Sequence, residues 1–235
     1  MKKRNFLIPE ISFILLAVVL FSACIKNNNF IIGDAKVRIF NTIISDTSRN
    51  FYFNQALFNS VSGVSALATS TNSSYFVVEA EKKYEIDSRN SVTGASNSSI
   101  KETFALGKNY SIFYTKSDSL PATKPRMIVY QDTLKQDKTT ARIMFLNLGY
   151  TLGSKVNIVD KGGNVYGRLG YGEKTDYKEI IDVGKSKTSI VLNLVDSAGV
   201  QDSISFNNFS KGKVYMVIIE GAKNGKLKER LVPNN

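Results

Sequence analysis

The chain has 235 residues, with 31 Lys+Arg against 20 Asp+Glu and a formal net charge of +11. Hydrophobic residues make up 43% and charged residues 22%, which is enough apolar material for a packed core and too much for a disordered tail. With no His and a single Cys, the composition excludes Ser-His-Asp and Cys-His nucleophile sites, histidine metal sites, intrachain disulfides and thiolate metal cages.

Lys2, Lys3 and Arg4 open the chain, and Ile11 to Phe21 follow as an apolar run. That run is shorter than the ~20 residues a bilayer-spanning helix needs, and it fits the apolar segment of a secretory signal. Ser22 and Ala23 then precede Cys24. Small residues let a signal peptidase close on the backbone, and a cysteine just after them offers a sulfur for thioether attachment of a diacylglycerol. The segment resembles the bacterial lipoprotein box. The resemblance implies a signal peptide over residues 1–23, lipid attachment at Cys24 and a polar tether over 24–34. Two or more acyl chains, at ~0.8 kcal/mol per buried CH₂, hold a protein stably on a membrane. In lipoproteins of the Bacteroidota type, acidic residues just after the cysteine favour surface export. Ile25-Lys-Asn-Asn-Asn29 has none, so the resemblance implies an outer-membrane anchor facing the periplasm.

The remainder reads as one unit written twice. Lys36–Asn41 aligns with Arg142–Asn147, and Phe104–Tyr110 with Phe209–Tyr215. Between these blocks, Ser74-Tyr75 pairs with Asp176-Tyr177. Blocks in the same order at nearly one offset predict tandem domains over 35–134 and 141–235, joined by a charged linker over 135–140. Inside each unit the period is two: Val37 and Ile39, Phe51 and Phe53, then Tyr110, Ile112 and Tyr114. In the second unit Ile190, Leu192 and Leu194 alternate in the same way, as do Ile204 and Phe206. This is the pattern of half-buried strands. Val214 to Ile219 is apolar at every position, so it is expected to be a central strand covered on both faces. Asp160–Asn164, Ser210–Lys213 and Ala222–Gly225 supply turn residues. Only Gln55 to Ala68 hints at helical spacing, and Gly63 and its serines weaken that. The expected fold is all-β: two tandem antiparallel β-sandwiches of immunoglobulin or transthyretin type, after the signal peptide.

The second unit carries an R-x-x-N-like strand, Tyr171-Gly-Glu-Lys-Thr-Asp-Tyr177, a glycine turn at Gly184 and a late Gly212-Lys-Val-Tyr215 strand. The first keeps Arg38, Asn41, Tyr75, Gly107, Lys108 and Tyr110. This arrangement resembles the bacterial repeat called domain of unknown function four-three-nine-seven, common in Bacteroidota lipoproteins. That family has no catalytic set attached, so the resemblance implies fold and location rather than chemistry.

The candidate chemistry is sparse. Gly162 to Gly172 is glycine-rich but lacks the G-K-[ST] ending of a phosphate loop, so turns and a kinked strand explain it better. Ser210-Lys-Gly-Lys213 matches S-x-x-K without the helix that motif needs. Glu173, Asp176, Glu179 and Asp182 are carboxylates in a lysine-interleaved region. They read first as a solvated face and second as glycoside-hydrolysing acids. Lys226, Lys228 and Arg230 alternate near the C-terminus. They read as a charged edge strand, or as a surface attracting anionic envelope polymers. Tyr166, Tyr171 and Tyr177 are candidates for stacking on glycans, against the commoner role of half-buried packing. Finally, Asp118-Ser119-Leu, Asp132-Thr133-Leu, Asp196-Ser197-Ala and Asp202-Ser203-Ile fit D-[ST]-apolar. They resemble the O-glycosylation acceptor of Bacteroidota envelope proteins, with Ser203 placed outward if Ile204 faces in.

These features point to a non-catalytic, lipid-anchored envelope protein acting as a binding or interaction module. Its expected partners are the membrane through its anchor, and anionic envelope glycans or another envelope protein. No cofactor, metal or nucleic acid is expected. The alternatives are a glycan-active enzyme working through Asp and Glu, and a structural spacer.

Overall fold

The structure, a computed structural model, describes residues 34–58, 66–118, 124–132, 138–180, 183, 189–197 and 201–234. The expected signal peptide over residues 1–23, Cys24 and most of the expected tether lie outside the described residues. Residues 33–235 form one compact unit.

The first half runs β1 (Asp34–Asn41), β2 (Arg49–Phe53), β3 (Ala56–Leu57), β4 (Thr71–Asn72), β5 (Phe76–Glu79), β6 (Lys83–Asn90), β7 (Ser96–Thr103), β8 (Asn109–Lys116) and β9 (Pro125–Asp132). The second runs β10 (Ala141–Asn147), β11 (Val156–Asp160), β12 (Val165–Leu169), β13 (Lys178–Ile180), β14 (Ser189–Leu194), β15 (Gln201–Ser205), β16 (Val214–Gly221) and β17 (Leu227–Pro233). Each half builds two sheets from its own strands. The first has an inner sheet β4-β1-β8-β9, with β5 also on β1, and an outer sheet β3-β2-β6-β7. The second repeats this order, with inner sheet β13-β10-β16-β17 and outer sheet β12-β11-β14-β15. The expected all-β sandwich architecture is therefore present. One feature departs from a purely antiparallel design: β1 pairs parallel with β8, and β10 parallel with β16. A parallel pair needs a long crossover. Here the facing outer sheet of each half serves as that crossover, in the place a helix takes in α/β folds.

The repeated sequence blocks do the same work in both halves. Asn41 Nδ2 donates to Leu67 O and Asn147 Nδ2 to Leu169 O, each at 3.1 Å, where the chain leaves the first inner strand. Gly107 and Gly212 take positive φ, 67° and 75°, in the turn before β8 and β16. The hydroxyls of Tyr110 and Tyr215 then accept from the amides of Ala105 and Ser210, both at 3.0 Å. Their rings pack on Phe104 and Phe209 at 5.0 and 5.1 Å. A side chain replacing either glycine meets the left-handed backbone penalty, so G-K-x-Y is a turn-and-anchor device.

Period two buries one face of each inner sheet inside its own sandwich. Val37, Ile39, Ile112 and Tyr114 meet Phe51 and Ile86 in the first half; Ile143, Phe145, Val217 and Ile219 meet Ile158, Ile190 and Leu192 in the second. The opposite faces of the inner sheets pack on each other. Phe40, Phe113 and Tyr130 face Met144, Leu146, Leu148, Met216, Ile218 and Val232 in a third apolar cluster. The layers thus stack outer, inner, inner, outer. β16 is buried along its whole length, as its unbroken apolar run requires. The surfaces that meet are equivalent ones, because Phe40 corresponds to Leu146, Phe113 to Ile218 and Tyr130 to Val232 by strand register. The interface is an intramolecular counterpart of an isologous dimer contact.

The helical spacing over Gln55–Ala68 does not produce a helix in its described part. Ala56 and Leu57 pair with β2 as a strand, after a turn in which Asn54 and Gln55 both take positive φ. That two-residue turn suits a hairpin and overrides the weak 3.6 period. Residues 59–65 lie outside the described residues.

Candidate functional site

Chain reversal after β1 shapes a polar cleft of about 380 Å³ at one end of the first sandwich, closed on one side by Tyr150 from the second half. Its lining includes Ser45, Asp46, Arg49, Asn97 and Lys116 over a floor of Ile43 and Pro125. Asn41 sets the reversal, its Oδ1 accepting from the Ile43 amide at 3.3 Å. Thr69 Oγ1 then ties down the carbonyls of Ile43 and Asp46 at 3.2 and 3.1 Å.

Asp46 is saturated. Its carboxylate accepts from Arg49 through Nε at 2.9 Å and through Nη2, from the Tyr114 hydroxyl at 2.8 Å and from the Thr47 amide at 2.8 Å. Burial pushes this carboxyl up, but the Arg49, Tyr114 and Thr47 bonds outweigh it and leave its pKa below the ordinary value. Burial and the bond to Asp46 push the Tyr114 hydroxyl up. Arg49 lies over the Tyr114 ring at 5.4 Å and donates through Nη1 to Asn97 Oδ1 at 2.8 Å. That contact points the Asn97 amide nitrogen away from the guanidinium. Burial pushes the Tyr150 hydroxyl up, against hydrogen bonds from Ile44 and Ser45.

The second half lacks this trio. Arg49 bridges Leu67 where Val156 pairs with Leu169, and Tyr114 pairs with Asn41 where Ile219 pairs with Asn147. The same two framework positions are thus Arg and Tyr in one copy and Val and Ile in the other.

The tyrosines singled out from the sequence do not form one platform. Tyr166 packs edge-on to Phe145 at 5.7 Å, against the core of the second half. Tyr171 reaches the core of the first half, where its hydroxyl meets Thr115 Oγ1 at 2.9 Å and donates to Lys116 O at 2.7 Å. Tyr177 packs against the cluster between the halves and accepts from Asn234 Nδ2 at 2.9 Å. Three rings on three different clusters cannot stack on one sugar. Face-to-face docking of the halves turns the segments of Tyr171 and Tyr177 into joints, while Tyr166 on β12 packs into its own sandwich.

Among the modification candidates, Ser203 is exposed on β15 while Ile204 is only 2% exposed. Ser197 is half-buried beside Asp196, whose carboxylate accepts from Ser154 Oγ at 3.0 Å. Ser119 and Thr133 lie outside the described residues. Asp132, preceding Thr133, is buried and bound by Ser111 and Tyr75. Of the acids over 173–182, Glu173 caps the Gly170 amide at 2.6 Å and Glu179 pairs with Arg142 at 2.9 Å, so they do not converge. Asp182 lies outside the described residues. No group of three or more metal-ligating side chains occurs among the described residues. In the basic C-terminal stripe, Lys226 just before the edge strand β17 and Lys228 on it stay exposed, but Arg230 turns inward to Glu220 at 2.7 Å.

One acid pair was not foreseen. Glu229 on β17 hydrogen-bonds Asp202 on β15, and burial together with that contact pushes Glu229 up to about 7. The folded protein keeps a proton that the unfolded chain releases near 4.5, so this group costs stability as pH rises through that window. Glu229→Gln is expected to raise stability at pH 8 by about 1–2 kcal/mol after solvent screening, and to leave pH 4 unchanged. Urea unfolding at the two pH values checks it; equal effects at both would contradict the shared proton.

A second cavity of about 360 Å³ opens beside Phe53, Phe58, Phe76 and Tyr84 at the edge formed by β3 and β5. Its rings spend their faces on one another, with Phe58 and Phe76 3.8 Å apart and Phe53 within 6.1 Å of the other three. This is core reaching the sandwich edge rather than a set of free stacking surfaces.

No family model and no curated protein matches the chain. Among solved structures it is similar to CBMbc, a family CBM26 module of Eubacterium rectale Amy13K crystallised with maltoheptaose. The TM-score is 0.28 and the identity 11%, over 86% of this chain and 97% of that one. The superposition is too loose to carry any residue from one protein to the other.

Proposed function

We propose that this chain is a non-catalytic binding module of the bacterial cell envelope, lipid-anchored through Cys24 on the periplasmic face of the outer membrane. The observation that carries the binding role is the polar cleft built around Asp46, Arg49 and Tyr114. The second copy of the fold holds together with Val156 and Ile219 at two of those positions. The anchor is supported by the basic, apolar and small-residue order ahead of Cys24. Ser203, exposed on a strand edge, supports sugar attachment at D-S-I. Growth with labelled palmitate tests the anchor: label is expected in the wild type, with Cys24→Ala unlabelled and released from membranes. Labelled Cys24→Ala protein would remove the proposal. The intact mass of the extracted wild-type protein also reads any sugar increment, expected to vanish in Ser203→Ala.

The Asp202–Glu229 pair is the one observation that favours a glycan-active enzyme. Retaining glycosidases hold their carboxyls about 5 Å apart with the sugar between them. Carboxyls bonded directly to each other leave no such gap, so the binding role is the better reading.

A further inference from the structure

We propose that the cleft at Asp46, Arg49, Asn97, Lys116 and Tyr150 binds a sugar-sized anion, a saccharide carrying a carboxylate or a phosphate. The inference rests on the binding-module reading and names the ligand class of that site. Three observations carry it.

The first is the balance of committed and free groups. Asp46 has all of its acceptor positions filled, so it neither repels an anion strongly nor takes a proton from one. Arg49 is 4% exposed and uses three of its five N–H donors, on Asp46 and Asn97. The Lys116 side chain reaches the same cleft and makes no ion pair among the described residues. The Asn97 amide, oriented by Arg49, presents its two donors. The uncommitted groups are donors and one full positive charge, a set that an anion satisfies. The second observation is the internal comparison. A buried ion pair adds little stability over well-packed apolar residues, and the equivalent positions Val156 and Ile219 carry the fold without one. The fold therefore does not require the trio; what it does is orient Asn97 and make the cleft wall polar. The third is size and lining. About 380 Å³ lies at the low end of the ~300–1,000 Å³ range of small-molecule sites. The Ser45 hydroxyl can bond sugar hydroxyls, and Ile43 and Pro125 offer apolar surface to the carbon face of a ring. The excess of Lys and Arg over Asp and Glu, which persists without residues 1–23, steers anions toward the molecule.

Isothermal titration of the detergent-solubilised full chain tests the proposal with four probes: glucuronate, glucose 1-phosphate, neutral glucose and inorganic phosphate. The two charged sugars are expected to bind at low salt and weaken as salt rises. Glucose and inorganic phosphate are expected to bind at least about tenfold more weakly than the better charged sugar. Lys116→Met should weaken the charged sugars about tenfold. Asn97→Asp should do the same, since it keeps the acceptor for Arg49 while replacing donors with a negative charge. Lys161→Met, in the exposed β11–β12 turn, should bind like the wild type. The ratio of the two charged sugars says whether a carboxylate or a phosphate is the better fit. Glucose binding as well as glucuronate, phosphate binding as well as either sugar, or wild-type affinity in Lys116→Met would each overturn the assignment. If envelope extract yields a bound partner while all four probes fail, the anionic-sugar assignment falls and the module reading stands. If the probes bind but Cys24→Ala stays palmitoylated, the anchored-module reading falls and the cleft stands.

Discussion

Replacing Arg38 with methionine is expected to destabilise the protein by about 3–5 kcal/mol, the loss typical of breaking a buried pair from one side. Arg38 is 3% exposed in the middle of the contact between the halves. Its Nε donates to Ser111 Oγ at 2.8 Å, its Nη1 to Pro233 O at 2.9 Å and its Nη2 to Asn234 Oδ1, with Asp132 Oδ2 3.8 Å away. The ring of Tyr75 lies under the guanidinium at 4.6 Å. Asp132 accepts from Tyr75 at 2.6 Å and from Ser111 at 2.7 Å, while its other oxygen has no partner among the described residues. Burial pushes its carboxyl pKa up even against the pull of Arg38. Without Arg38 that carboxylate is buried with no cation beside it. The molecule contains its own control. Arg38 corresponds to Met144, Asp132 to Asn234 and Tyr75 to Tyr177, and the second half supplies no charge of its own to its Asn–Tyr pair, the only cation on Asn234 among the described residues being Arg38 from the first half. The double variant Arg38→Met/Asp132→Asn should therefore recover at least half of the loss. Urea unfolding of wild type, single and double variants makes the comparison; a double variant as unstable as Arg38→Met would show that the charge of Asp132 is not the problem.

Phe113→Ala is expected to cost a similar ~3–5 kcal/mol, through lost burial plus a cavity that rigid sheets on either side cannot close. Phe113 is fully buried, stacked on Phe40 with centroids 4.6 Å apart and planes 16° from parallel. Tyr130 meets it edge-on at 5.8 Å, and Met144, Leu146 and Ile218 belong to the same cluster. Because this cluster joins the inner sheets, its loss should also loosen the coupling between the halves. Hydrogen exchange on β8 and β16 reads this directly. Wild-type amides of both strands are expected to exchange at one common unfolding free energy, and those of the variant at two. A loss under about 1 kcal/mol with exchange unchanged would mean that the halves do not depend on this contact.

Much of the fold was legible from local pattern. Alternation in 37–39, 110–114 and 190–194 names the inward faces, because the strand period of two is a property of the backbone alone. F-x-x-G-K-x-Y was legible twice over, since a positive-φ glycine and an anchored tyrosine need particular residue types. The outer faces of the inner strands were harder. Arg38 and Ser111 look like solvent-side residues, and in the first copy they alternate with apolar ones. The second copy held the missing signal: Met144 and Met216 stand at the equivalent positions. Apolar residues there are stable only if that face is covered. The candidate site was illegible for a related reason. Asp46, Arg49 and Tyr114 are 3 and 68 residues from the first to each of the others, and only the pairing of β1 with β8 makes them neighbours.

Local pattern alone was enough for the all-strand class, the doubling of the unit, its turns and the side chains that line each sandwich, because those follow from backbone periodicity and from glycine conformation. The pairing of distant segments decided that the two inner sheets close on each other, that β1 runs parallel to β8 and β10 to β16, and that Tyr171 and Tyr177 serve as joints. It also decided where the uncommitted charge sits. Burial of a whole strand face and the pairing of distant groups are relations between segments, and the free energy that selects them appears only when those segments exclude water together.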